Sequence, residues 1–286
     1  MSASGARRSR GLYARRRFVN SMFLALSVTA AIVGIIALGL ILWALLSNGI
    51  AALTPDLFTL SQPAPGSKGG LANAIVGSLI LNGLAVAIGT PIGILGGTYL
   101  AEYGRHTWVS FFIRFANDIL LSAPSILIGL FIYQIIVAPF HGFSALAGSA
   151  ALTVIVIPVV VRTTENMLLL VPNTLREAAA SIGAPRAISI RNVTWRAARA
   201  GMITGVLLAL ARISGETAPL LFTAFGNPNM STNLFQPIGS LPALIFNFFN
   251  SAYDDWHRLA WAGALVITAA VLTLSILARL IEGRRS

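Results

Sequence analysis

The stretch ALAGSAALTVIVIPVVVRTTENMLLLV (Ala145–Val171) decides the fold, together with the segment that follows it, Leu175-Arg176-Glu177-Ala178-Ala179-Ala180-Ser181-Ile182-Gly183-Ala184-Pro185-Arg186. The first part is too long for a strand and shows no strict alternation, so it reads as a helix. A bilayer-crossing helix needs about 20 mostly apolar residues, and this run has them. The second part reads as a short helix, a Gly-Ala-Pro turn and another short helix reaching about Trp195. Gly183 suits a helix C-terminus because it tolerates left-handed backbone angles, and Pro185 stops simple continuation. Ala178, Ala179 and Ala180 leave room for another protein surface. A compact helical turn held between two spans can carry movement from a soluble partner into the membrane.

Five more stretches resemble the first: roughly 22–46, 73–101, 111–138, 201–224 and 259–281. The whole chain of 286 residues is 56% hydrophobic and only 10% charged. A soluble domain carries about 25% charged residues, so the surface here is too poor in charge to face water alone. Six spans account for the excess. The chain has no cysteine, which excludes disulfides, thiol catalysis and Cys-ligated zinc. The first stretch is longer than a signal-peptide core and has no clear cleavage site after it, so it reads as a span.

The formal net charge of +11 is distributed unevenly. Arg7, Arg8, Arg10, Arg15, Arg16 and Arg17 precede the first span. Arg105 lies in the second connection, Arg176, Arg186, Arg191, Arg196 and Arg199 in the fourth, and Arg279, Arg284 and Arg285 at the end. The other side carries Lys68 and Arg258, with Asp56, Asp254 and Asp255. The positive-inside rule then places both termini and the fourth connection in the cytoplasm, and it explains the basic tail better than nucleic-acid binding does. The expected organisation is a basic tail over 1–21, a first span over 22–47, an external loop over 48–70 and a membrane domain over 71–282, with a cytoplasmic loop over 172–200. The apolar run Leu241–Phe249 in the last outer connection is too short to span and is expected to lie at the interface or re-enter.

The cytoplasmic loop resembles the EAA loop of ABC-importer permeases. Glu177, Ala178, Ala179 and Gly183 match in type and spacing, while Val193, Trp195 and Arg196 stand where that pattern ends in Ile, Leu and Pro. Ala211-Arg212-Ile213-Ser214-Gly215-Glu216-Thr217-Ala218-Pro219-Leu220-Leu221-Phe222-Thr223-Ala224 narrows the likeness to the PstA family of phosphate-importer permeases. Tyr99-Leu100-Ala101-Glu102-Tyr103, Ser122-Ala123-Pro124-Ser125-Ile126, Gly129-Leu130-Phe131 and Leu259-Ala260-Trp261-Ala262-Gly263 are similar too. The resemblance covers about 70–282. It implies an all-α integral membrane protein with six transmembrane helices, the type I ABC importer permease (MetI-like) fold, in the bacterial cytoplasmic membrane. It further implies a PstC-like permease as heterodimer partner, a PstB-like ATPase homodimer that binds ATP and Mg, and a PstS-like phosphate-binding protein. Glu177, Ala178, Ala179 and Gly183 would dock on the ATPase.

Charges inside spans are costly, about 2.5–3.5 kcal/mol for Arg or Asp at a helix centre, and they usually face a bundle interior or a pathway. Arg212 and Glu216 are expected one turn apart on one face of the fifth span. Two readings are open: a satisfied internal salt bridge, or a contact for an anion in transit that Glu216 keeps weak. Arg donors suit a tetrahedral oxyanion. Pro219 cannot donate to the carbonyl of Gly215, so backbone polarity is freed at the same depth. Thr217 belongs to this candidate pathway set. Arg162 and Glu165 near the inner end of the fourth span read first as groups snorkelling to water, with a pathway role for Arg162 second. Arg114 and Asp118 are expected to pair within the third span.

No Gly-x-x-x-x-Gly-Lys-Ser/Thr loop occurs, so no cofactor is expected in this chain, and ATP hydrolysis is assigned to a separate subunit. His106, His141 and His257 lack metal-ligand spacing. No nucleophile–base set is present, so the chain reads as a pathway subunit. Alternatives are a related permease for sulfate or molybdate, a secondary transporter, or a phosphate-signalling scaffold.

Overall fold

The computed structural model describes the backbone of residues 3–105 and 107–283, and the side chains of Tyr13 and of residues 15–280 apart from His106. Arg7, Arg8, Arg10, Arg284, Arg285 and His106 from the charge and ligand readings lie outside the described side chains.

The described residues are helical, without strands. The elements in order are α1 (Ala3–Ala51), α2 (Asp56–Thr59) and α3 (Ala72–Thr98), which continues as a π-helical turn over Tyr99–Tyr103. Then come α4 (Trp108–Ser122), α5 (Ser125–Ile132), a π-turn over Tyr133–Val137, α6 (Ala138–Phe140) and α7 (Ala145–Leu169). They are followed by α8 (Asn173–Ser181), α9 (Arg186–Ser189), a third π-turn over Ile190–Thr194 and α10 (Trp195–Ile213). The chain ends with α11 (Ala218–Thr223), α12 (Leu241–Phe249) and α13 (Asp254–Gly283).

Four helical stretches are long and apolar enough to cross a membrane alone: Arg15–Ala51, Ala72–Tyr103, Ala145–Leu169 and Asp254–Leu280. The expected third span is broken. α4 meets the α5–α6 stretch at 106°. Pro124 disfavours helical angles at the residue before it, and Ala123 is extended (φ −65°, ψ 135°). The expected fifth span is also divided, into α10 and α11, by Ser214–Thr217. Pro219 sits in the first turn of α11, where its missing N–H costs nothing. It does not interrupt a continuous helix as its sequence position suggests. The expected helix after Gly183 does not stop near Trp195 but runs on through the third π-turn into α10.

α7 is the centre of the fold, and α3 is its main neighbour. Lipid tails are as apolar as leucine, so helices in a bilayer gain mainly from close packing and internal hydrogen bonds. α3 presents a stripe of small residues to α7 at four-residue steps: Ala85, Gly89, Gly93 and Gly97, all buried. A Cβ on Gly93 would stand 2.6 Å from Val160 Cβ, and one on Gly97 2.6 Å from the Val161 carbonyl oxygen. On its next face α7 meets α10, where Gly205 packs on Thr163 and Gly201 on Met167. The core follows these contacts: Leu81, Leu152, Val156, Val160, Ala209 and Ile213 form one buried cluster.

A second cluster closes the opposite end. Leu57 from α2, Leu71, Phe248 from α12 and Ala260 from α13 pack together. α12 thus packs one face, with Leu241, Leu244 and Phe248, against α2, α3 and α13 and leaves Phe246 and Phe249 exposed. Asn73 at the start of α3 donates to the carbonyls of Asn227 (2.7 Å) and Pro228 (3.1 Å), which fixes the long connection after α11. α1 stays outside this body. It touches α13, with Gly49 against Leu265 and Trp261, and its most apolar stretch is unburied.

Filling the α3–α7 contact tests this architecture. Gly97→Val is expected to destabilise by about 1–3 kcal/mol, the usual cost of overpacking. Gly83→Ala, where a Cβ meets nothing within 4 Å, serves as the neutral control. Thermal unfolding of the purified chain in detergent reads both.

Candidate functional site

Among the described residues five arginine–carboxylate pairs occur; Arg258–Asp255 sits exposed at the start of α13, and the other four fall into two kinds. Arg114 on α4 donates from Nε to Glu165 Oε1 on α7 at 2.7 Å, and its Nη2 reaches the Leu100 carbonyl at 3.2 Å. Arg176 on α8 donates to Glu102 Oε1 from Nη2 (2.7 Å) and Nε (3.0 Å). The carboxylates of these two pairs are nearly sealed, 5% exposed for Glu165 and 7% for Glu102. A charge buried away from water is tolerated only when paired and hydrogen-bonded, and both are.

The other two pairs are loose. Arg162 Nη1 on α7 stands 4.0 Å from Asp118 Oδ1 on α4, with both side chains about half open. Arg212 Nε, in the last turn of α10, stands 3.9 Å from Glu216 Oε1, with the arginine 45% exposed. Neither arginine side chain has a hydrogen-bond partner among the described residues, so its planar donors are available to a ligand. Charge-assisted bonds from such donors fit phosphate-like oxyanions in pairs.

The pairing differs from the local one expected. Arg114 does not bond Asp118 one turn on. It crosses to Glu165, and Asp118 faces Arg162 instead. The reason is burial: Glu165 lies inside the α4–α7 contact and needs a cation, while Asp118 is exposed and does not. Glu165 is therefore not a snorkelling group.

Arg212, Glu216 and Thr217 are brought together at the break between α10 and α11. Ser214 in the same break stays tied to α3, with Asn82 Nδ2 3.4 Å from its hydroxyl. α11 packs on α5, where a Cβ on Gly129 would stand 2.6 Å from Pro219 Cα. Arg162 is next to Thr163, which packs on Gly205. Gly205 precedes Arg212 by seven residues, so Arg162 lies on the order of 10 Å from the level of Arg212 along α10.

Glu177, Ala178 and Ala179 sit on α8, and Ala179 is buried while the first two are exposed. Gly183 follows the helix with φ +76°, a left-handed conformation that a side chain would strain. Its N–H donates to the Ala180 carbonyl at 2.9 Å, and that of Ala184 to Ala179 at 3.2 Å, closing the helix end. Ile182 projects at the tip, 83% exposed.

The contacts of Glu102 were not anticipated. It lies in the π-turn that continues α3, and besides the bond of its carboxylate to Arg176 its carbonyl accepts from Arg186 Nη2. The guanidinium of Arg186 stacks 4.5 Å over the Tyr103 ring. Trp195 Nε1 donates to Thr98 Oγ1 at 3.1 Å. A lone carboxylate at the end of an apolar span was the available signal in the sequence.

Glycine-packed apolar helices around α7, with a helical turn projecting from their ends, make this a helical membrane protein. A model of the binding-protein-dependent transport system inner membrane component matches residues 89–286, and the chain belongs to that family. It is 54% identical over 265 residues to the phosphate transport system permease protein PstA of Haemophilus influenzae, covering 93% of this chain and 94% of that one. The PstA of Xylella fastidiosa strain Temecula1 is likewise 54% identical, over 95% of each chain. Within the family the chain falls among the PstA permeases. A chain of the inward-facing MetNI methionine ABC transporter superposes with a TM-score of 0.59 at 18% identity, over 74% of this chain and 92% of that one, which shows a shared fold.

The two kinds of pair differ in what their loss costs. Arg114→Ala strands the buried Glu165 carboxylate and is expected to destabilise by roughly 3–5 kcal/mol. Asp118→Ala removes one exposed partner and is expected to cost less than about 1 kcal/mol. Unfolding midpoints of the two variants in detergent compare them.

Proposed function

We propose that the chain is one of two permease subunits of an ATP-driven importer that moves inorganic phosphate across the bacterial cytoplasmic membrane by alternating access. The observation that carries the reading is the loose Arg212–Glu216 pair at a break in a helix, inside a chain 54% identical to PstA over nearly its whole length. A strong fixed phosphate site would trap its cargo. A carboxylate 3.9 Å from the arginine competes with phosphate for it and keeps the contact weak enough to release. Arg212 contacts phosphate, Glu216 moderates that contact, Thr217 lines the same break, and Arg162 receives the anion nearer the cytoplasm. The dominant support for phosphate over sulfate or molybdate is the similarity to PstA.

The pathway forms against a PstC-like permease, and the unburied α1 leaves apolar surface for such a neighbour. A PstS-like protein delivers phosphate from outside. A PstB-like ATPase homodimer binds ATP and Mg and performs the hydrolysis, so this chain is no enzyme and holds no cofactor. Glu177, Ala178, Ala179 and Gly183, with the projecting Ile182, dock on that ATPase. Both termini and α8 face the cytoplasm, in keeping with the arginine distribution. ATP drives the change of state only through contacts that differ between the inward- and outward-facing forms.

The test is ATP-dependent uptake of labelled phosphate by the co-purified complex in vesicles. Arg212→Gln and Glu216→Gln are each expected to lower uptake at least about tenfold, the loss of roughly 1.4 kcal/mol at the transition state. Protein levels are expected to stay normal. Wild-type uptake in both variants would overturn the pathway assignment, and equal competition by sulfate or molybdate would overturn phosphate selectivity. In a second measurement, Gly183→Val is expected to leave membrane insertion intact while ATP hydrolysis no longer drives uptake. Retained coupling would refute the docking assignment.

A further inference from the structure

Resting on the assignment of α8 to the ATPase contact, we infer that Glu102 is the joint through which the ATPase stroke enters α3, so that α8, the third π-turn and the last turns of α3 move as one body. Four side-chain attachments tie the Asn173–Trp195 segment to Thr98–Tyr103: Arg176 to the Glu102 carboxylate, Arg186 to the Glu102 carbonyl, Arg186 over the Tyr103 ring, and Trp195 to Thr98. Arg176 also holds the end of α7. Its Nη1 reaches the Val171 carbonyl at 2.6 Å and its Nη2 the Leu168 carbonyl at 2.7 Å. The Leu168 carbonyl belongs to the last turn of α7, where intrahelical donors run out, and the Val171 carbonyl lies just past it. One guanidinium therefore joins the carbonyl end of α7, the start of α8 and the end of α3.

The apolar contacts agree. Ala101, Leu168, Val171, Ala198 and Met202 form a separate buried cluster beneath the joint, with Trp195 packed against it. The π-turn matters because its extra residue shifts the direction of every side chain after it by about one helical position, and such turns concentrate at functional places. Beyond the joint, α3 is locked to α7 by Gly89, Gly93 and Gly97, so a displacement of Glu102 is passed up a rigid pair rather than absorbed. Glu102 acts through Arg176 and α3 and does not touch cargo; it is a positioning residue.

The absence of cysteine allows a direct test. Ser181→Cys on α8 and Arg105→Cys just past the π-turn are spin-labelled in the complex assembled with its ATPase and second permease. The label-to-label distance is measured with and without ATP. Movement as one body predicts a distance constant to within about 2 Å, while a shift of one helical turn, about 5 Å, overturns the inference. This reading needs neither a Glu102 variant nor any cargo, so it tests the joint even if the transported anion is not phosphate.

A second arm uses Glu102→Gln and Glu102→Asp. With Glu102→Gln, complex assembly and ATP hydrolysis are expected to persist while uptake per ATP falls about tenfold, a loss in the usual range for coupling between sites. Glu102→Asp is expected to restore most of it. Unchanged uptake per ATP in Glu102→Gln refutes the joint. Absent ATP-dependent phosphate uptake in the wild-type complex refutes the transport reading instead, and leaves the label distance to decide on the joint.

Discussion

Close approach between α3 and α7 underlies the rest of the structure. A bilayer offers no water to drive helices together and none to satisfy a stranded polar group. Gly89, Gly93 and Gly97 remove the side chains that would hold the two backbones apart. With α3 seated, α10 settles on the adjacent face of α7 through Gly201 and Gly205, and α4 brings Arg114 to Glu165. The packing of small residues is thus also what positions the charges.

Those charges divide according to the solvent left to them. Glu165 and Glu102 are sealed and held by arginines at hydrogen-bond distance. Asp118 and Glu216 stand about 4 Å from theirs, and both of those arginines are about half exposed. A tight pair costs little once formed and resists change. A loose pair leaves the arginine's donors in play, which is the property expected of a transient anion contact. Both kinds arise from the same two residue types, and their surroundings decide which one results.

Hydropathy is a local property, so the apolar runs that became α1, α3, α7 and α13 were legible in the sequence. So were the turn at Gly183 and the helix over Glu177, because a glycine and a proline after a short helical pattern leave few conformations. The breaks were less legible. Pro91 and Pro158 lie inside α3 and α7, which continue past them, whereas Pro124 separates two helices and Pro219 begins one. The proline signal is the same in each case; the neighbours that satisfy or replace the freed backbone groups differ. Pairing was illegible for a related reason. Arg114 has a carboxylate four residues away and another 51 residues away, and only the fold reveals that the distant one is buried beside it.

α1 has a consequence for the membrane itself. The stretch Arg15–Ala51 contains 37 residues, a length on the order of 55 Å against a hydrocarbon core of about 30 Å. A helix with that surplus tilts or protrudes without exposing its ends to the wrong medium. Arg15, Arg16 and Arg17 can anchor one end at the headgroups, and the contact of Gly49 with Leu265 holds the other. The surplus length lets α1 follow the bilayer by tilting or protruding, with its packing on α13 near Gly49 and its arginine anchors setting the inclination.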